Sequence, residues 1–127
     1  DPNNIFVAEF IGSPKMNIIK INKDQIINSK TLKLFNNEVA VDNFKFEDEI
    51  YIGIRPEDIS INNNQEIQLE VKVDLVENLG FEKIIYTKIL DHQIIIKSSE
   101  NVTEQSLKIS FSRNKILFFD KNKNRIR

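Results

Sequence analysis

The spacing of the glycines shows whether this sequence can form a phosphate-binding loop. A phosphate-binding loop of the GxxxxGK[ST] type needs closely spaced glycines, whose backbone amides surround the anion, and a lysine that reaches the terminal phosphates. The chain has three glycines, Gly12, Gly53 and Gly80, which lie far apart, and none of them precedes a lysine. The residues of this chain therefore predict no nucleotide hydrolysis.

Other groups that do chemistry are isolated in the sequence. The single histidine, His92, has no second histidine with which to share a metal ion, and the absence of cysteine excludes thiol chemistry and disulfides. The run Glu47-Asp48-Glu49 could gather a cation or act as an acid/base pair, but without a glycine-bearing ligand loop it is more typical of a solvated surface. No GxSxG elbow surrounds a serine. Catalysis by this chain has no support.

Composition predicts one globular domain. The chain has 127 residues, of which 40% are hydrophobic and 29% charged, and no apolar run approaches the roughly 18 to 20 residues that cross a bilayer. The net charge of -1 hides a basic end, because residues 108–127 carry seven positive groups and one negative group. A solvated tail is the simpler interpretation, and contact with phosphates or a membrane surface is the alternative.

One short helix is predicted, over residues 3–11. An asparagine caps it, Phe6 and Phe10 share one face, and Gly12 followed by Pro14 ends it. Apolar residues nearly surround this helix, so it needs cover on more than one side.

After Pro14 the apolar period changes to two, which predicts β-structure. The clearest strand begins at Ile67, and its alternation places five side chains on a core face: Ile67, Leu69, Val71, Val73 and Leu75. A tight hairpin is predicted at Asp91-His92 and a loop at residues 62–64. Nine short strands argue for a small barrel or paired barrels. They are predicted at 17–23, 31–35, 38–41, 49–54, 67–76, 83–90, 93–97, 107–111 and 115–119.

A small barrel raises the alternative of nucleic-acid binding, with stacking platforms at Tyr86, Phe111, Phe118 and Phe119. The charge argues against it, since residues 1–107 carry 11 positive and 18 negative groups. Aromatic residues at alternating strand positions are also more often core.

Four segments are specific in combination. They are residues 4–17 (NIFVAEFIGSPKMN), residues 53–59 (GIRPEDI), residues 76–82 (VENLGFE) and the pair Phe119-Asp120. Their order and spacing resemble the C-terminal regulatory part of the ATP-binding subunits of ABC importers, of the maltose and glycerol-3-phosphate (sugar) type. The resemblance covers essentially the whole chain.

The resemblance implies a mostly β fold, an OB-like small barrel or barrels of antiparallel strands called a TOBE domain, with one short N-terminal helix. Residues 1–15 would be the end of the ATPase domain's last helix and its linker, and residues 16–127 the regulatory domain. No cofactor is expected in this chain, because ATP and Mg would bind an upstream ATPase domain. The implied partners are a second copy of the subunit, transmembrane permease subunits and a regulatory protein, at the cytoplasmic face of the membrane; no nucleic acid is expected.

Two groups of residues are candidates for the family motif or an interface. The first contains Gly53, Arg55, Pro56 and Glu57, and the second contains Leu79, Gly80 and Glu82. Pro56 biases Arg55 toward an extended backbone before a turn. Arg55 could contact another subunit, or pair within the chain with Glu57, Asp58 or Glu82. Gly80 is predicted to adopt a positive φ. The rival function is an OB-like module that binds a small oxyanion or nucleic acid.

Overall fold

The computed structural model describes residues 3–5, 14–28, 30–41 and 49–126. Most of the predicted helix over residues 3–11 lies outside these residues, as do Glu47 and Asp48. Strands dominate the described part, and three 3-10 turns separate some of them, at Lys23–Gln25, Pro56–Asp58 and Arg113–Lys115. The strands are β1 (Asn17–Asn22), β2 (Ile26–Asn28), β3 (Thr31–Leu34), β4 (Asn37–Ala40), β5 (Glu49–Ile54), β6 (Ser60–Ile61), β7 (Ile67–Asn78), β8 (Lys83–Ile89), β9 (His92–Ser98), β10 (Ser106–Phe111), β11 (Leu117–Phe119) and β12 (Arg125–Ile126).

These strands form three sheets with the orders β1-β5-β11-β12, β6-β10-β7-β8-β9 and β2-β3-β4. The strand pairs of the described part are antiparallel, and they curl into a half-barrel. The prediction of a mostly β, OB-like antiparallel fold is therefore confirmed.

All nine predicted strands occur, and three short ones, β2, β6 and β12, were not predicted. Eight of the nine strands differ from their predicted bounds by one or two residues at an end, and two of these differences have a clear local cause. The last predicted strand begins at Leu117 instead of Lys115, because the preceding residues form a 3-10 turn whose amide at Asn114 donates to the Ser112 hydroxyl. The hairpin turn lies at Leu90-Asp91, so His92 is the first residue of β9, where its ring meets Phe35 edge-on at 5.4 Å between centroids.

The prediction that Leu75 lies on the core face is wrong. The alternation of β7 holds from Ile67 to Val73, but Asp74 is an extra residue between the pairs Val73↔Thr87 and Leu75↔Tyr86. Such a β-bulge reverses the faces of the residues that follow it. Val76 consequently packs against the core, and Leu75 is 60% exposed.

The four-stranded sheet separates two apolar clusters. On its inner face, side chains such as Ile21, Ile52 and Phe118 join the main core, which the other two sheets complete. On its outer face lies a second group, named here the junction cluster: Ile5, Met16, Leu117 and Phe119, with Ile18 and Tyr51 at its margin. Since adjacent residues of one strand point to opposite faces, Ile52 packs in the main core, whereas Gly53 faces the junction cluster.

The bulge predicts that two leucines of β7 contribute differently to stability. Leu69→Ala is expected to lower the free energy of unfolding by about 2 to 5 kcal/mol, since the side chain is buried in the main core. Leu75→Ala is expected to change it by less than about 0.5 kcal/mol, because the side chain already faces solvent. Urea denaturation measures both values. Equal losses for the two variants would contradict the reversed faces.

Candidate functional site

Gly53 provides the space in which the junction cluster forms. It lies in β5 between Ile18 of β1 and Leu117 of β11. A Cβ atom at this position would lie 2.6 Å from the Met16 sulfur and 3.1 Å from Cε2 of Phe119. Both distances are too short for ordinary contact, so only glycine allows these two buried side chains to pack onto the sheet.

The chain leaves β5 through the predicted turn. Arg55 is extended, with φ -71° and ψ 139°, and Pro56 begins a 3-10 turn in which the Asp58 amide donates to the Arg55 carbonyl at 3.0 Å. Pro56 is buried, Arg55 is half-buried and Glu57 is exposed. A proline suits this first position because its missing N–H would have no partner there. Glu82 was one of the three carboxylates considered as an ion-pair partner of Arg55. Its carboxylate forms an ion pair with the Lys97 ammonium at 3.3 Å.

Asn17 joins two sheets through its side chain. Its amide nitrogen donates to the Ile95 carbonyl at 2.9 Å, and its amide oxygen accepts from the Ile95 backbone N–H at 2.8 Å. The side chain thus pairs with β9 as a neighbouring strand would. Asn17 is only 6% exposed, and a buried amide without such partners would cost about 1 to 3 kcal/mol.

The C-terminal hairpin, residues 119–126, is built around Asp120. Its carboxylate accepts the backbone amides of Asn122 and Asn124, both at 2.9 Å, and its own amide donates to the Asn124 carbonyl at 2.8 Å. Lys123 adopts a positive φ of 68° in this turn, and its ammonium lies 5.8 Å from the centre of the Tyr51 ring. The turn therefore rests against the margin of the junction cluster.

The second candidate group lies at the tip between β7 and β8. Gly80 has the predicted positive φ, 89°, its amide donates to the Asn78 side chain, and the Leu79 amide donates to the Glu82 carbonyl at 2.9 Å. Three apolar side chains here face solvent, and we name them the tip patch: Leu75, Leu79 and Phe81, which are 60%, 59% and 91% exposed.

The predicted residues thus fall into two places. Gly53 to Glu57 belong to β5 and its exit, whereas Leu79, Gly80 and Glu82 belong to the other large sheet. Three of the four specific segments meet at the junction cluster, through Met16, Gly53 and Phe119. Sequence reasoning gave no role to Asn17, Tyr51 or Lys123. Asn17 is the last residue of the first specific segment, residues 4–17, and that position was the signal that could have pointed to it.

Charged groups near these places form surface pairs. Glu49 of the predicted acidic run pairs with Lys20 at 3.0 Å, and the hydrogen bond to that carboxylate raises the pKa of Lys20. Among the described residues, no three histidine or acidic side chains gather as metal ligands. The helices of that same part include none long and apolar enough to cross a membrane.

Two features bear on ligand binding. A shallow cavity of about 190 Å³ is lined by Asn63, Asn64, Gln68, Leu69, Glu70, Lys108 and Ile109, which is smaller than the roughly 300 to 1,000 Å³ usual for small-molecule sites. Of the four aromatic residues considered as stacking platforms, Phe111, Phe118 and Phe119 are buried, and Tyr86 is half-buried. Those three phenylalanines cannot stack on bases.

Together the sheets and the junction define an OB-like antiparallel β module whose first described residues lie beside its C-terminal hairpin. The family model described as the TOBE domain matches residues 52–113, from β5 to the last 3-10 turn. The uncharacterized ABC transporter ATP-binding protein YcjV of Escherichia coli O157:H7 is 33% identical over 128 residues, which cover 94% of this chain and 35% of YcjV.

Two named importers are similar as well. The sn-glycerol-3-phosphate import ATP-binding protein UgpC of Psychromonas ingrahamii is 35% identical over 80% of this chain and 26% of its own length. The maltose/maltodextrin import ATP-binding protein MalK of Aliivibrio fischeri is 36% identical over 71% of this chain and 26% of its own length. The chain belongs to the TOBE-domain family of ABC transporter ATP-binding proteins. It spans about a third or less of the length of these relatives.

The close approach at Gly53 predicts a specific coupling with Met16. Gly53→Ala should lower the free energy of unfolding by about 1 to 3 kcal/mol, because the buried Phe119 ring cannot move away freely. Shortening Met16 to alanine removes the nearest atom, so the double variant should be less destabilised than the sum of the two single variants, by about 1 kcal/mol.

The matched control is Gly80→Ala, which suffers from the positive φ but meets no atom within 4 Å. Its effect should add to that of Met16→Ala within about 0.5 kcal/mol. Chemical denaturation of the five variants and the unaltered chain completes both cycles. Additive behaviour for Gly53 and Met16 would contradict the packing described above.

Proposed function

We propose that this chain is the regulatory and dimerisation domain of the ATP-binding protein of a sugar ABC importer. Residues 1–15 then end the ATPase domain and link it to the TOBE domain, residues 16–127. The observation that carries the proposal is the junction, where the segment that begins the chain packs through Met16 against Gly53 and Phe119. Relatives that are importers by name support the assignment to sugar import.

In this proposal the domain itself does no chemistry. ATP and Mg²⁺ bind to the ATPase portion of the parent protein, which also contacts the transmembrane permease subunits at the cytoplasmic face of the membrane. This domain holds two copies of the subunit together and binds a regulatory protein. A lasting contact between the regulatory domains keeps the two ATPase portions at a high effective concentration while they open and close.

Regulation follows from linkage. Any partner that binds this domain more tightly in one arrangement of the subunits shifts the ATPase cycle toward that arrangement. The tip patch is our candidate for the contact with a second copy. Leu79 and Phe81 are large, apolar and exposed, and burying such side chains in a contact between copies removes apolar surface from water, which favours association.

The proposal predicts how the parent protein responds to dilution. ATP turnover per subunit should stay nearly constant on dilution of the full parent, but should fall for a truncated parent that lacks residues 16–127. The protein concentration at which turnover falls to half should be about a hundredfold higher for the truncated parent. The 127-residue chain alone should hydrolyse no ATP. Equal dilution curves for the two proteins, or turnover by the chain alone, would overturn the proposal.

The tip patch predicts a defect in association that leaves the fold intact. The double variant Leu79→Ser/Phe81→Ser should weaken dimerisation by about tenfold or more, since two apolar anchors are lost, and should change the free energy of unfolding by less than about 1 kcal/mol. Light scattering over a concentration series measures the first effect and urea denaturation the second.

The control is Leu90→Ser in the β8–β9 hairpin, where the leucine is 81% exposed but lies outside the patch. This variant should associate like the unaltered chain. A double variant that dimerises normally would exclude the tip patch as the contact between copies.

A further inference from the structure

The far end of β7 has a free edge. β10 pairs with β7 as far as Lys72, and the last backbone bond on that side runs from the Val73 amide to the Gln105 carbonyl at 2.8 Å. Beyond the bulge, β7 continues to Asn78 with β8 on its other side. Within the described part of the chain, no strand covers the free edge over residues 75–78.

The alternation of antiparallel pairs identifies the backbone groups on this edge. The Leu79 amide donates to the Glu82 carbonyl, so these two residues form a hydrogen-bonded pair. Counting back along β7, Asn78 and Val76 belong to pairs of the other kind, whose N–H and C=O groups point away from the partner strand. Among the described residues, none bonds to these two donors and two acceptors. An edge of this kind accepts an added strand.

The side chains of the edge alternate between two faces. Val76 packs toward the main core, whereas Leu75, Glu77 and Leu79 share the outer face and are exposed. A carboxylate thus lies between two apolar side chains of the tip patch. An added strand is complementary when lysine or arginine lies opposite Glu77 and apolar residues lie two positions before and after it, because side chains directly opposite each other interact across strands.

The surroundings of the edge are acidic. Residues 73–82 and the loop 99–105 contain no basic residue and five acidic ones, Asp74, Glu77, Glu82, Glu100 and Glu104. Of these five, Glu82 is the one with an ion-pair partner among the described residues, Lys97. Edge-to-edge pairing of two copies would bring the carboxylates of both together, which is unfavourable. A basic strand is attracted by the same charges.

We propose that the free edge of β7 binds an extended basic segment of a regulatory partner protein, which adds to the five-stranded sheet beside residues 75–78. Lysine or arginine of the segment pairs with Glu77, and its apolar residues cover Leu75 and Leu79. This proposal specifies the regulatory partner of the proposed function and rests on it for the role in transport. The bound segment covers two side chains of the tip patch, so it competes with a second copy and shifts the association of the subunits.

Hydrogen exchange tests the free edge directly. In the unbound chain, the amides of Val76 and Asn78 should exchange about a hundredfold faster than the amide of Glu77, which is bonded to β8. Slow exchange at Val76 and Asn78 in dilute solution would overturn the free edge. Protection that grows with the concentration of the chain would assign the edge to a second copy and overturn the proposed partner.

A short peptide tests the occupant. The probe is a capped peptide of sequence TVTKTVT, whose lysine has a valine two positions away on each side. Calorimetry should show that it binds the chain about tenfold more tightly than TVTETVT, because glutamate is repelled by Glu77. At ten times its dissociation constant, the lysine peptide should slow exchange at Val76 and Asn78 by about tenfold. Equal binding of the two peptides, or no binding of the lysine peptide, would overturn the proposal.

Two controls separate strand addition from general attraction. Methylation of the amide nitrogens of the two threonines beside the lysine removes the donors that face Val76 and Asn78, and should abolish binding although the charge and the valines remain. Glu77→Lys should weaken binding about tenfold, whereas Asp91→Lys, the same change of charge at the opposite end of β8 and β9, should leave it unchanged. Binding that survives methylation, or equal losses in the two variants, contradicts strand addition.

The proposed function and this site can fail separately. Saturating lysine peptide should weaken the dimerisation of the chain about tenfold or more in light scattering, and a dimer that binds the peptide without weakening would exclude competition for the tip patch. If the peptide binds as expected but the dilution curves of the full and truncated parents coincide, the proposed function is overturned and the site stands. If those curves differ but the peptide does not bind, the site alone is overturned.

Discussion

The contact between Gly53 and the two side chains above it is the constraint on which the rest of the structure depends. A sheet can carry an apolar cluster on each face only where its strands leave room on both, and the inner face of β5 is filled by isoleucines. The missing side chain at Gly53 lets Met16 and Phe119 reach the outer face, where a Cβ atom would lie 2.6 Å from the Met16 sulfur and 3.1 Å from Cε2 of Phe119. Dense packing makes such a site intolerant of even one added methyl group.

Polar side chains then connect what the junction brings together. Asn17 follows Met16 directly and pairs with the backbone of β9, so the residue that packs on one sheet is adjacent to the residue that binds the other. Asp120 follows Phe119 directly and satisfies the amides of its own turn. Each pair couples an apolar contact to a set of hydrogen bonds that depends on geometry, so the position of the packed side chain and the path of the backbone are fixed together.

The sequence predicted the long strands because their apolar alternation is local information. It missed β2, β6 and β12, since two or three residues show no period. It also placed Leu75 in the core, because the bulge at Asp74 is set by pairing with β8 and leaves no mark on the alternation. Gly80 and Pro56 were predictable because their backbone preferences belong to the residues themselves: glycine tolerates a positive φ, and proline fixes its own φ. The meeting of Met16, Gly53 and Phe119 was not predictable, since these contacts join residues far apart in the chain. The resemblance identified the right segments without showing that three of them touch.

The two candidate sites, the junction cluster and the tip patch, lie on different sheets. The junction lies on the four-stranded sheet, where the chain enters the domain, and the tip patch lies at the end of β7 and β8 in the five-stranded sheet. The Asn17 amide joins the first sheet to β9 at Ile95, and Ile95 lies opposite Tyr86 of β8, which in turn lies opposite Leu75 of β7. A continuous series of backbone pairs therefore joins the residue that follows Met16 to an exposed leucine of the tip patch. The two places are thus parts of one hydrogen-bonded framework, although they lie on different sheets.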